Sequence, residues 1–106
     1  MKQPISISRA LGRVVVTVHG PVDTELLGET LARVGAEEPH LVIDLRDADS
    51  IDGGAVGLLI EASRRSAAHG GDLVLSAPPP AVRHALDGHG LAITGAPRPD
   101  RRQPQP

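Results

Sequence analysis

The chain has 106 residues, no cysteine, no aromatic residue and a formal net charge of −2. That length accommodates one domain, whose core must be built from aliphatic side chains, and it offers no aromatic surface on which bases or sugars could stack. The small net charge gives no electrostatic footprint for nucleic acid or an acidic membrane. No stretch resembles a signal peptide or a membrane span, so we expect a cytoplasmic protein without membrane insertion.

Composition divides the chain into two parts. Residues 1–95 have the mixed apolar and polar composition of a folded domain. Residues 96–106 are rich in Pro and Arg, and we expect them to form a flexible tail.

The N-terminal third is predicted to form a hairpin and a helix. Apolar alternation over residues 5–8 and a β-branched run over residues 13–19 predict two strands joined by a tight turn. Pro21 is expected to end the pairing, since proline cannot donate to the ladder. A first helix should then begin at Asp23 or Thr24 and run to about residue 36.

The remaining chain alternates strands with helices. Strands are predicted at residues 41–46, 72–77 and 91–94, and helices at residues 54–69 and from the prolines at 78–80 onward. The predicted fold is therefore α/β, of order ββαβαβαβ, with a sheet that is mostly parallel after the N-terminal hairpin and helices mainly on one face. The inward-facing positions expected in the three helices are Leu27, Leu31 and Val34; Val56, Leu59, Ile60, Ser63 and Ala67; and Val82, Ala85 and Leu86.

Most of the chemical information lies in LVIDLRDADSIDGGAVG, residues 41–57, where four aspartates at 44, 47, 49 and 52 precede a pair of glycines. One interpretation is a receiver-like phosphoacceptor, Asp44 or Asp47, beside a magnesium site. That chemistry needs acidic residues at the end of the first strand, and residues 1–20 contain none. The favoured interpretation is that these carboxylates are solvated in a loop and that Asp52 caps the helix that follows.

Other sequence patterns of enzymes are absent. The glycines of residues 53–57 are not followed by the Lys-Ser/Thr of a phosphate-binding loop, and the five histidines show no metal-ligand spacing. No serine stands in a Gly-x-Ser-x-Gly elbow. We therefore predict no catalytic residue, no cofactor and no metal site.

Three segments together resemble the STAS domain of the anti-sigma factor antagonist family. HGPVD at residues 19–23 resembles the family's strand end before its first helix, and HGGDLVL at residues 69–75 resembles its Gly-Gly strand entry. VIDLRDADSIDGGAVG at residues 42–57 resembles the central signature, a strand and a loop ending in Asp-Ser-Ser-Gly-Leu-Gly. The similarity extends over about residues 5–95.

The resemblance implies a bacterial protein-binding module that is not an enzyme. Family members engage an anti-sigma factor of the GHKL kinase type and release its sigma factor. The kinase phosphorylates the first serine after the motif Asp, and the added charge of about −2 breaks the complex. Here Asp52 matches that Asp, but the two serine positions are Gly53 and Gly54, so the usual phosphorylation switch is absent; Ser50 is the one hydroxyl nearby that could substitute.

The preferred hypothesis is thus a regulator that binds an anti-sigma kinase or a related protein without phosphorylation control. The alternative is a STAS subunit that docks on the ATPase of an ABC transporter, and the receiver-like phosphoacceptor is the third hypothesis. The residues expected to contact the partner are Asp23, Ser50, Asp52, Gly53, Gly54, Val56 and Gly57.

Overall fold

A computed structural model describes residues 4–94, and it confirms the predicted order ββαβαβαβ. The predicted tail at residues 96–106 lies outside the described residues. The eight elements are β1 (Ile5–Ala10), β2 (Arg13–Pro21), α1 (Thr24–Glu37), β3 (His40–Ser50), α2 (Gly53–Ala68), β4 (Asp72–Ser76), α3 (Pro80–Leu86) and β5 (Ala92–Thr94).

The strands form one five-stranded sheet in the order β1-β2-β3-β4-β5. The first two strands are antiparallel, joined through Leu11 and Gly12, whose φ angles of 53° and 77° allow a two-residue turn. The pairs β2–β3, β3–β4 and β4–β5 are parallel. Each parallel pair is connected through a helix, as the crossover rule requires.

One face of the sheet carries the core. Buried positions alternate with half-buried ones along β2, β3 and β4, so every second side chain points toward the helices. The predicted inward residues of α1 are all buried, and Val82 and Leu86 of α3 are buried as well. Among residues 4–94, no helix is long and apolar enough to span a membrane.

Strands β2 and β3 are longer than the sequence predicted. β2 continues through Pro21, which pairs in register with Ser50 at the end of β3. Pro21 is tolerated because the donor to β3 at this point is the next residue: the Val22 N–H donates to the Ser50 carbonyl at 3.0 Å. The expected acidic loop is consequently mostly strand: Asp47 and Asp49 lie within β3, as Asp44 does in the predicted strand, and the connection to α2 is Ile51 and Asp52.

The buried face of α2 also differs from the prediction. Val56 and Leu59 are buried as expected, and the other buried positions are Ala55, Ala62 and Ser66. Ile60 and Ser63 are half-buried and Ala67 is exposed; Ala85, expected inward in α3, is half-buried. Because alanines and serines occur on both the buried and the exposed side of α2, the sequence pattern does not determine which side of the helix faces the sheet.

The end of α2 is held by a Schellman motif that is built on Gly70 and Gly71. The Gly71 N–H donates to the Ser66 carbonyl (2.8 Å), the Gly70 N–H donates to the Ala67 carbonyl (3.1 Å), and Gly70 has a φ of +82°. Gly71 then passes so close to Pro39 that an added Cβ would lie 2.1 Å from the Pro39 carbonyl oxygen. Any side chain at position 71 would therefore push β4 away from the segment that enters β3.

Candidate functional site

Asp52 ties the starts of two helices together. It is the N-cap of α2, where its Oδ1 accepts hydrogen bonds from the Ala55 N–H (2.9 Å) and from the Thr24 hydroxyl (2.8 Å). Thr24 is the first residue of α1, whose own N-cap, Asp23, accepts from the Leu26 N–H at 3.1 Å. The N-termini of α1 and α2 therefore lie side by side, each capped by an exposed aspartate.

The same hydrogen bonds keep Asp52 ionised. They lower the pKa of its carboxyl below the ordinary value of 3.8, chiefly through the Ala55 N–H and next through the Thr24 hydroxyl. A fixed negative charge thus stands at the start of α2 at neutral pH, where the helix dipole stabilises it. A second anion placed next to it would be repelled.

The two glycines after Asp52 have different surroundings. A Cβ added to Gly53 would meet no atom within 4 Å beyond its chain neighbours and its own helix backbone, whereas one added to Gly54 would lie 3.2 Å from the Thr24 Cγ2 and 3.4 Å from the Asp52 Oδ1. Neither glycine has a positive φ, so neither is required by the backbone conformation. Position 53 could therefore carry a solvent-exposed side chain, whereas a side chain at position 54 would require Thr24 to shift by a few tenths of an ångström.

An open apolar groove of about 270 Å³ runs from these glycines along α2 toward α3. We call it the α2–α3 groove. Val56 forms part of its floor and is buried, while Gly57 is exposed and has open space where a Cβ would stand. The lining residues are Ile51, Asp52, Gly53, Val56, Gly57, Ile60, Ala85 and His89.

The structure brings most of the predicted contact residues to one end of the molecule. Asp52 is the N-cap of α2, and Gly53, Gly54, Val56 and Gly57 lie in its first turns. Two others stand on neighbouring elements: Asp23 caps α1, and Ser50 is the exposed last residue of β3.

The alternative acceptors Asp44 and Asp47 lie within β3. The Asp44 Oδ1 accepts from the Arg46 N–H at 3.0 Å, and the Asp47 carboxylate lies 3.7 Å from the His19 ring. Within residues 4–94, no three His, Asp or Glu side chains are grouped so that they could hold a metal ion.

Sequence reasoning missed two contributions to this surface. The sequence indicates Thr24 only as a possible cap, because nothing in it links this residue to a carboxylate 28 residues away. No pattern predicts Ala85 and His89 near α2, although they complete the α2–α3 groove. The exposed His89 belongs to no periodic pattern that would have pointed to this location.

Comparison with known proteins agrees with this geometry. The family model of the STAS domain matches residues 5–96 of the chain. No curated protein matches the sequence.

Three solved structures illustrate the similarity of fold. The anti-sigma factor antagonist SpoIIAA in its unphosphorylated form is 18% identical, with a TM-score of 0.72 over 87% of this chain and 88% of that one. An anti-sigma factor antagonist from Mycobacterium paratuberculosis is 23% identical, with a TM-score of 0.74 over 84% of this chain and 82% of that one. A serine-to-glutamate variant of RsbS from Moorella thermoacetica is 26% identical, with a TM-score of 0.69 over 88% and 87% of the two chains.

Proposed function

Because this chain belongs to the STAS domain family, we propose that it is a non-enzymatic regulator that binds an anti-sigma factor of the GHKL kinase type, or a related protein. Two of the structural relatives are anti-sigma factor antagonists by name, which supports this class of partner. Such a partner works on sigma factors, so we place the protein in the cytoplasm.

The partner surface that we propose consists of the capped helix starts and the α2–α3 groove beside them. The groove supplies apolar contact area, and the exposed Asp23 and Asp52 form a charged rim, the usual arrangement of a protein interface. The proposed contact residues remain Asp23, Ser50, Asp52, Gly53, Gly54, Val56 and Gly57.

The observation that carries the proposal is the open space at Gly53. This residue occupies the phosphoacceptor position of the family motif, is exposed, and has room for a side chain, since an added Cβ would meet no neighbouring element within 4 Å. Packing therefore does not require glycine here. We infer that binding in this protein proceeds without the repulsion that a phosphoserine next to the ionised Asp52 would bring.

Binding and phosphorylation assays test the two halves of the proposal. The full chain is titrated calorimetrically against purified GHKL-type anti-sigma factors from the source genome, and each mixture is then incubated with ATP. We expect one of these factors to bind with micromolar affinity or tighter and to transfer no phosphate to the wild-type chain. Binding to none of them would overturn the assignment, and capture of an ABC transporter ATPase instead would favour the transport alternative.

A matched pair of variants tests the position of the lost switch. Gly53→Ser should become phosphorylated by the kinase that binds the wild type, because its hydroxyl would project freely into solvent. Gly54→Ser is the control, with a hydroxyl one residue later and against Thr24. Phosphorylation of the wild type at Ser50, detected by mass spectrometry, would contradict the absence of a switch.

A further inference from the structure

A second surface lies at the other side of the molecule, along the free edge of β1. Among residues 4–94 this strand pairs only with β2, and the opposite edge strand of the described sheet, β5, is three residues long. In the antiparallel ladder, the His19 N–H donates to the Pro4 carbonyl at 2.7 Å, so the pair formed by residues 4 and 19 is a hydrogen-bonded one.

The register then fixes the direction of every backbone group in β1. Hydrogen-bonded pairs alternate with non-bonded pairs, so Ser6, Ser8 and Ala10 direct their N–H and C=O groups toward β2. The alternate residues, Ile5, Ile7 and Arg9, direct theirs outward. The free edge therefore presents three donors and three acceptors in a row.

Edge strands are commonly protected from pairing with another chain by charged side chains, and most of β1 has none. Residues 5–8 include no charged side chain, and Arg9 is neutralised by an ion pair of 2.6 Å with Glu37 of its own chain. Ile7, at the middle of the strand, is 38% exposed and is one of two large apolar side chains that the described part of the chain leaves exposed.

From these observations, we propose that β1 pairs antiparallel with β1 of a second copy, about a twofold axis at Ile7, to form a continuous ten-stranded sheet. In this register Ile7 faces its own counterpart, and Ile5 faces Arg9 of the other copy. All six outward groups of each strand are then satisfied, and the two Ile7 side chains cover each other.

The twofold pairing explains why a second copy fits this edge better than another protein does. The outward backbone groups of Ile5, Ile7 and Arg9 are spaced evenly about Ile7, so the same strand supplies both halves of the ladder. A single strand pair buries less than the roughly 1,200 Å² of standard interfaces, so the dimer should be weak. It would leave the α2–α3 groove free, because no residue of β1 lines that groove.

Sedimentation equilibrium of the full chain, from about 10 μM to about 1 mM, tests the dimer. We expect the weight-average mass to rise toward twice that of the monomer. Ile7→Asp and Ile7→Lys should each remain monomeric over this range, since either places two like charges opposite each other. An equimolar mixture of these two variants should dimerise again, because unlike charges then meet.

Leu11→Asp is the matched control, since Leu11 is the other exposed apolar residue and lies in the turn beyond the strand. It should dimerise like the wild type. Circular dichroism on each variant verifies the fold. A wild type that stays monomeric at about 1 mM, an Ile7→Asp variant that dimerises normally, or a mixture that stays monomeric would each overturn the proposal. None of these outcomes depends on the anti-sigma partner.

Discussion

The first turns of α2 contain a glycine that the fold does not need. Gly57 lies inside α2 (Gly53–Ala68), is exposed, has no positive φ, and offers open space where a Cβ would stand. Glycine in a helix interior is less stable than alanine by roughly 0.5–1 kcal/mol, because it loses more backbone entropy on folding. We therefore predict that Gly57→Ala raises the free energy of unfolding by about that amount.

Urea and thermal denaturation, followed by circular dichroism, measure the effect. For a domain of this size the gain corresponds to a rise in Tm of about 2–8 °C. Because Gly57 also lines the α2–α3 groove, the same variant should bind the anti-sigma partner more weakly although its fold is more stable. An unchanged or lower free energy of unfolding would refute the reasoning, since it would mean that a side chain at position 57 is in steric conflict with a neighbour, whereas the structure has open space there.

Three further predictions concern the supports of the fold and of the site. Gly71→Ala should lower the free energy of unfolding by at least about 2 kcal/mol in urea titrations, because its Cβ would stand 2.1 Å from the Pro39 oxygen; a neutral result would contradict this close approach. Thr24→Val should raise the pKa of Asp52 in a carboxyl NMR titration, since one of the hydrogen bonds that lower it is lost, and an unmoved pKa would exclude that bond. The pKa of Asp72 is also below its usual 3.8, first because the His40 imidazole hydrogen-bonds to it and next because the Arg13 guanidinium does. The stability that this carboxylate contributes is therefore complete above the unfolded pKa and is lost as the pH falls through the folded pKa. Denaturation at several pH values between about 5 and 2 should thus show a smaller acid loss for Asp72→Asn than for the wild type, and equal losses would exclude the contribution.

The sequence was most informative where large apolar residues recur at a clear period. Leu27, Leu31 and Val34 fixed the buried face of α1, and the β-branched run of β2 identified a central strand. In α2 the period was carried partly by alanines and serines, which fit either side of a helix, and the predicted face was rotated relative to the observed one. Tertiary packing, rather than the local pattern, decides such a case.

The end of β3 was missed because polar residues do not reveal strand pairing. Asp47 and Asp49 look like loop residues, yet the chain stays extended there because β2 runs alongside it as far as Pro21. For the candidate site, the cap at Asp52 followed from its position before a helical pattern, and its side chain does accept from the Ala55 N–H. The contact with Thr24 and the far side of the α2–α3 groove depend on how distant elements pack, which no short-range pattern records.

The most direct test of the central claim is the affinity of one anti-sigma partner for three forms of the chain. Wild type, Gly53→Glu and Gly53→Gln are titrated in parallel, and the two variants differ only in charge at a position with room for either side chain. We predict that Gly53→Gln binds within about threefold of the wild type and that Gly53→Glu binds at least about tenfold more weakly, a difference of about 1.4 kcal/mol. Equal affinities of the Glu and Gln variants would show that the start of α2 lies outside the interface, and the proposed function of this surface would then be wrong.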